Sequence, residues 1–274
     1  MKITVITACY NSARTIGTAL ESVRRQRGVR VEHIVVDGAS NDGTVEMLKR
    51  RCGDDGGIVL RGQAISSDVE FRWGSERDRG MYDAINKGIK MATGEVVGIL
   101  NADDVLESDD TLKKVAEAFE RDPELTAVYG DIRFVKGGET VEEVRGAKTV
   151  RYCSAAKWRP WMFRFGAMAP HPSFYVRKEA FERLGGYSLD YRICADFELE
   201  LRFLYLAKLK RAYLPGCMVT MRTGGASTAG WRSNVEINRE DLRALRSHGV
   251  WSCTAIIYLK YLFKIWGFLS RKRK

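Results

Sequence analysis

Ile3-Thr4-Val5-Ile6-Thr7-Ala8-Cys9-Tyr10-Asn11-Ser12 is a short, β-branched, nearly unbroken apolar run that stops on a polar turn. Such a run reads as a strand buried on both faces. Asn11-Ser12 offers an N-cap, and residues 15–25 carry the periodicity of an amphipathic helix. The pattern then repeats, with His33-Ile34-Val35-Val36-Asp37 as a second buried strand, residues 38–42 as a polar turn and residues 44–51 as a helix. Two strand–turn–helix units in succession imply parallel pairing with right-handed crossovers, hence an α/β fold.

Moving outward, a Gly-rich stretch (53–62) precedes a helix over 82–91 and a buried strand over 96–100 that ends on Asn101-Ala102-Asp103-Asp104. Asp109-Asp110 reads as the cap of a helix over 111–121. Further strands are expected at 127–131 and 173–176, and a short helix at 179–184. Residues 251–269 are apolar and aromatic, broken by Lys260 and Lys264, and run into Arg271-Lys272-Arg273-Lys274. Lys260, Lys264, Gly267 and Arg271 share one helical stripe by their spacings of three and four. This fits a helix lying in an anionic membrane surface with snorkelling lysines. Packing on protein is the second reading. A spanning helix is the third, at a high cost for two central lysines. The expected organisation is one domain over 1–248, with a nucleotide half to about 110 and an acceptor half from 111, followed by a basic amphipathic tail over 249–274.

The chain has 274 residues, 45% of them hydrophobic and 29% charged, which suits a globular α/β domain rather than disorder. Its net charge of +10 raises nucleic-acid binding as an alternative, but the basic residues are scattered, and no nucleic-acid partner is expected. The cysteines (Cys9, Cys52, Cys153, Cys194, Cys217, Cys253) form no C-x-x-C pair, and several lie in apolar runs. With no signal-like segment before the first strand, the expected location is the cytoplasm, peripheral at the inner face of the membrane.

Ligands of open α/β sheets bind beyond the carboxyl ends of the strands. Here those ends deliver Cys9-Tyr10-Asn11, then Asp37, then Asn101, Asp103 and Asp104. Aromatic, amide and carboxylate groups converge without a glycine-rich phosphate loop, which suits a nucleoside and a divalent cation. Mg²⁺ or Mn²⁺ is expected, since these ions take one or two protein oxygens and complete their shell with phosphate and water. The absent phosphate loop argues against a nucleotidyltransferase acting on sugar phosphates, and the absent G-x-G-x-x-G against a dinucleotide oxidoreductase. A non-enzymatic basic binder of membranes or nucleic acid would leave the ordered acidic motifs without purpose.

Thr7-Ala8-Cys9-Tyr10-Asn11, Val35 to Thr44, Ser75 to Gly88, and Ala92-Thr93-Gly94-Glu95 leading into Leu100 to Asp104 together resemble the family 2 glycosyltransferases. The likeness covers about the first 110 residues and resumes around 165–230. It implies a GT-A fold, a Rossmann-like, mostly parallel sheet flanked by helices, and inverting transfer from a nucleotide-sugar donor, a UDP-sugar by the family's habit. By the resemblance Thr7, Tyr10 and Asn11 line the nucleoside pocket and Asp37 meets the base. Asp78 takes the acidic position on the nucleotide side. Asn101 and Ala102 lie near the ribose, and Asp103 holds the metal. Asn101 departs from the family's D-x-D pattern, which lowers the expected metal affinity. Helix capping is the other role open to Asp78, turn formation the other for Asp37, and bracing of its turn for Asp104.

Cys194-Ala195-Asp196-Phe197-Glu198 resembles the stretch that carries the family's base, and Asp196 matches it. Inversion by direct displacement needs one group to take the acceptor hydroxyl's proton. Glu198 and Glu200 read as charges on a solvated helix face. His171 could line the acceptor pocket or approach the metal, a structural role being the other reading, and Gly225 and Ser227 sit in a loop that resembles one closing over the diphosphate in relatives or is a plain surface loop. Residues 152–165 suit an aromatic, basic acceptor wall. The expected function is sugar transfer to a lipid-linked or polysaccharide acceptor in cell-surface glycan synthesis.

Overall fold

The computed structural model describes residues 1–52, 69–224 and 231–260. β1 (Lys2–Cys9) leads to α1 (Ile16–Arg24), β2 (Arg30–Asp37) to α2 (Thr44–Cys52), and β3 (Val69–Ser75) to α3 (Met81–Met91). There follow β4 (Val96–Ile99), β5 (Val105–Leu106), α4 (Thr111–Arg121), β6 (Ala127–Val135), α5 (Val141–Gly146) and β7 (Thr149–Cys153). Two 3₁₀ turns, Pro160–Phe165 and His171–Ser173, precede β8 (Tyr175–Arg177) and α6 (Lys178–Leu184). α7 (Ala195–Glu200) runs on through a π-helical turn, Leu201–Leu206, to β9 (Arg211–Arg222) and α8 (Trp231–Ser247).

The strands join in the order β3-β2-β1-β4-β8-β6-β9-β5, with β7 on β6. β3, β2, β1 and β4 are mutually parallel, whereas β8 runs antiparallel to both β4 and β6. The direction of winding reverses between β1 and β4, so the crevice beyond their carboxyl ends is the expected ligand position. Helix α3 packs on one face, in a core with Ile6, Ile85, Phe163 and Phe197, and α1 and α4 on the other, with Ile3, Leu20 and Phe119.

Local departures from expectation have local causes. The strand foreseen at 127–131 continues to Val135 because Ile132 and Val135 also point into core. The one foreseen at 173–176 starts at Tyr175, since Pro172 and Ser173 lie in a 3₁₀ turn. Asp110 makes no side-chain cap for α4. That role falls to Gln26, which accepts from the Leu112 N–H at 2.9 Å.

Close packing fixes the glycine of β4. A methyl group on Gly98 would lie 2.2 Å from the buried ring of Tyr175, its partner across the β4–β8 ladder. Gly98→Ala is expected to destabilise the fold by about 1–3 kcal/mol, read as a fall of several degrees in the melting temperature. An unchanged melting temperature would contradict this packing.

Candidate active site

The first two strand-to-helix turns are laced together. Asn11, at φ 49° in the left-handed region that Asn tolerates, donates its N–H to Ser40 Oγ at 2.7 Å and accepts from the Asn41 N–H at 3.0 Å. Ser12 N–H donates to Thr44 Oγ1 at 2.8 Å and Ala13 N–H to Asp42 at 3.0 Å. Asp37 is enclosed within this lacing. Its carboxylate accepts from the Ser40 N–H (2.9 Å), from Ser75 Oγ (2.6 Å) and from the Ser40 hydroxyl. The polar run after β2 is thus a brace that aims the end of β1.

Above it opens a cleft of about 2640 Å³, well beyond the roughly 300–1,000 Å³ of a single-ligand pocket. Tyr10, Asn11, Asp78, Asn101, Ala102, Asp103, His171 and Asp196 all line it, although they come from both halves of the chain. Tyr10 is 63% exposed, an aromatic face open to solvent. Gly38 lies between Tyr10 and Asp78, where an added methyl would come within 2.7 Å of the Asp78 carboxylate. Asp78 accepts from the Gly80 N–H at 2.8 Å, while Gly80 itself stands at the α3 N-cap position, so Asp78 is no side-chain cap.

Three expected site residues do not reach the cleft. Thr7 is fully buried, its hydroxyl on His33 Nε2 at 2.9 Å. Burial alone lowers the His33 pKa to about 3, so a neutral imidazole holds Thr7 in the core. Asp37 is likewise buried, with its oxygens engaged as above. Asp104 is buried and accepts from the Asn101 amide at 2.8 Å. Desolvation, then the charge of Asp103, holds its carboxyl well above the usual range. Asp104 therefore braces the turn, and Asp103 is the carboxylate of this turn that faces the cleft.

Arg222, at the end of β9, was not foreseen. Its guanidinium donates to the Asp103 carbonyl at 2.6 Å, to Gly138 O and to Thr18 Oγ1, both at 2.9 Å. It pins the acidic turn and adds a half-buried cation to the cleft wall. Its only sequence signal was one arginine at the end of an apolar run.

On the opposite wall, α3 ties the halves together. Asn86 donates to the Tyr187 carbonyl at 2.8 Å and accepts from the Tyr187 N–H at 2.9 Å. The Tyr82 hydroxyl donates to the Ile193 carbonyl and lies 3.3 Å from Asp196 Oδ1. Glu240 of α8 accepts from the N–H groups of Arg192, Ile193 and Cys194 at 2.9–3.0 Å. Asp196 thus stands on a backbone held from two sides. Burial raises its pKa to about 6, against the hydrogen bond from the Phe197 N–H and the nearby Tyr82 hydroxyl.

Glu198 and Glu200, expected on a solvated face, are both buried. Glu198 accepts from Arg202 at 2.6 Å and contacts His248 Nε2 at 2.7 Å, tying α7 to α8. Glu200 contacts His171 Nδ1 at 3.4 Å, and the Tyr187 hydroxyl contacts His171 Nε2 at 3.0 Å. Both ring nitrogens of His171 are spent inside the protein, so it offers the cleft only its ring and no nitrogen for a metal.

Trp161, 55% exposed on the 3₁₀ turn, faces the cleft and sets its ring edge-on to Phe165 at 5.7 Å. Residues 251–260 dock beside it. Ser252 donates to the Arg164 carbonyl, Ile257 is buried, and Lys260 pairs with Asp241 at 2.9 Å. Lys260 therefore turns inward instead of snorkelling, whereas Trp251, Tyr258 and Leu259 face out. Lys264, Gly267 and Arg271 lie outside the described residues, as do Gly225 and Ser227. Among the described residues no helix is long and apolar enough to cross a membrane.

A model of the family described as Glycosyl transferase family 2 matches residues 4–185. An uncharacterized glycosyltransferase of Mycobacterium tuberculosis is 30% identical over 203 residues, 73% of this chain and 68% of that protein. A PGL/p-HBAD biosynthesis glycosyltransferase of Mycobacterium bovis is 26% identical over 241 residues, 88% of this chain and 82% of the relative. Among solved structures, a mannosyltransferase of Pyrobaculum calidifontis in complex with GDP-Man and Mn²⁺ superposes with a TM-score of 0.60 at 23% identity. The superposition covers 88% of this chain and 64% of the mannosyltransferase, so the chain spans just under two thirds of that protein's length. The fold is GT-A, as the sequence led one to expect.

Proposed function

The chain belongs to glycosyl transferase family 2 and is a glycosyltransferase, and from that premise we propose that it is an inverting, metal-dependent enzyme moving a sugar from a nucleotide-diphosphate donor to a lipid-linked or polysaccharide acceptor. The observation that carries this reading is the meeting, in one cleft, of Tyr10, Asp78, Asn101 and Asp103 from the first half with Asp196 from the second. Tyr10 stacks on the base, and Asn101 and Ala102 flank the ribose. UDP is the first candidate nucleotide, although the buried Asp37 leaves base recognition to other groups.

A bound Mn²⁺ or Mg²⁺ fits this site, because Asp103 is a hard oxygen donor facing the cleft and the donor's phosphates can supply the remaining ligands. Among the described residues no group of three His, Cys, Asp or Glu side chains could hold an ion by itself. The ion would neutralise charge growing on the departing diphosphate. Arg222 adds a fixed cation on that side. Asp196 takes the proton of the acceptor hydroxyl as its oxygen bonds to the anomeric carbon, while the bond from that carbon to the diphosphate oxygen breaks. The configuration inverts, and the nucleoside diphosphate leaves.

Trp161 and Phe165 support an acceptor wall, and the outward Trp251, Tyr258 and Leu259 support peripheral contact with the inner face of a membrane, where a lipid-linked acceptor would be met. The test is a panel of UDP-, GDP- and dTDP-sugars with Mn²⁺, read first by thermal shift and then by nucleoside diphosphate release. One donor should stabilise the protein and turn over only with metal. Absence of binding across the panel would sink the reading.

A further inference from the structure

Glu200 is a buried acid for which the reaction as proposed has no use. It has no exposure to solvent, and its Oε2 finds no hydrogen-bond partner. Its other oxygen contacts His171, whose far nitrogen contacts Tyr187. The Tyr187 ring stacks on Tyr82 at 5.5 Å and 16° between planes, and the Tyr82 hydroxyl reaches Asp196. Glu200 also stands one helical turn after Asp196 on α7, on the same side of the helix. A buried carboxylate with one oxygen left without a hydrogen-bond partner is costly. A glutamine would fill the same volume without that cost, so the acid calls for a role in which its charge matters.

We propose that Glu200 is a positioning residue whose charge, held behind the cleft wall by His171 and Tyr187, sets how readily Asp196 takes the acceptor's proton. The proposal rests on Asp196 being the base. A negative charge one turn away in a poorly solvated setting stabilises the protonated form of Asp196 and so makes it a stronger base. The charged and titratable groups packed around the two acids define the balance. Glu200 meets His171 from the 3₁₀ turn, Tyr187 from the loop after α6 and Tyr129 from β6. Asp196 meets Tyr82 from α3, Cys194 at the head of α7, and Glu240 and Asp241 from α8, the last neutralised by Lys260. His171 is thus the basic side chain in contact with Glu200, and Glu200 itself titrates near neutrality, its pKa raised by burial to about 7. The two acids titrate as a coupled pair.

The experiment compares the parent enzyme with Glu200→Gln and Glu200→Asp, measuring kcat/KM from pH 5 to 9 on the donor and acceptor that turn over, alongside melting temperatures over the same range. In the parent the rate should rise in two steps, first as Asp196 ionises near pH 6 and again, a few-fold, as Glu200 ionises through about 7; Glu200→Gln should keep the first step and lose the second. Its plateau kcat should fall a few-fold because Asp196 is a weaker base. Glu200→Asp should keep both steps of the parent's profile.

Stability supplies the readout independent of activity. A carboxyl whose folded pKa lies above its unfolded value favours folding in its protonated form. That stabilisation is present below about 4.5 and lost as the pH rises to about 7. Glu200→Gln should therefore melt above the parent at pH 7–8, and the gap should narrow toward pH 5. A second rise that persists in Glu200→Gln, a loss of rate equal at every pH, or a variant that folds less well than the parent at pH 8 overturns the proposal. These failures are distinct from failure of the base assignment, which would appear as an active Asp196→Asn enzyme.

Discussion

Asp196→Asn should lose about 10²–10⁴-fold in kcat while binding the nucleotide sugar as the parent does. The amide matches the carboxylate in volume and can keep the hydrogen bond from the Phe197 N–H, so the cleft keeps its shape. What disappears is the ability to take a proton. Because burial raises the Asp196 pKa from 3.8 to about 6, the parent's rate should fall as the pH drops through about 6, where the base becomes protonated. The same shift fixes the sign of the stability change. The folded state favours protonated Asp196, so stability declines as the pH rises from 3.8 to about 6 and stays reduced above. The uncharged variant escapes that loss and should be the more stable protein at pH 7.5, by about 1–3 kcal/mol. An inactive enzyme that melts higher is the signature of a strained catalytic group. Near-parental turnover, or loss of donor binding together with turnover, would assign the base elsewhere.

Asp103→Asn should cost about 10²–10³-fold, the several kcal/mol that a metal ion contributes to a departing diphosphate. Raising the Mn²⁺ concentration should recover part of the rate, since phosphate and water ligands remain. The neighbouring acid provides the control. Asp104 is buried, carries its carboxyl well above the usual range and already receives the Asn101 amide. Asp104→Asn should stay within a few-fold of the parent. The thermal shift produced by donor plus Mn²⁺ should shrink in Asp103→Asn and persist in Asp104→Asn. Equal losses in both variants would mean that the turn matters as a unit and that Asp103 has no separate ligand role.

The parallel core was legible because its information is local. Ile3 to Ala8 and His33 to Asp37 are apolar without a gap, and each stops on a turn whose Asn, Ser, Asp and Gly residues cannot continue a strand. Strand ends in such a sheet face one crevice, so Tyr10, Asn101 and Asp103 could be assembled before any contact was known. β3 and β9 were missed. β3 mixes Glu70 and Arg72 among its apolar residues, and β9 carries Pro215 and Gly216. Thr7 and Asp37 show the opposite failure. Their motif is real, but its hydroxyl and carboxylate are consumed by His33, Ser40 and Ser75, which secure the loops that present Tyr10 and Asn11.

From the sequence alone came the α/β class, the end of the sheet on which the cleft opens and the acids that line it, because strand period, turn chemistry and helix spacing act over fewer than ten residues. Tertiary structure alone decided which acids are buried. Glu198 and Glu200 alternate with Phe197, Leu199 and Leu201 as a solvated face would. Yet His248 comes in from 50 residues away and His171 from 29, and each covers its acid. Burial is set by what packs against a face, and those partners lie outside any local window. The same holds for Arg222, which reaches Asp103 across 119 residues, and for Lys260, turned inward by Asp241.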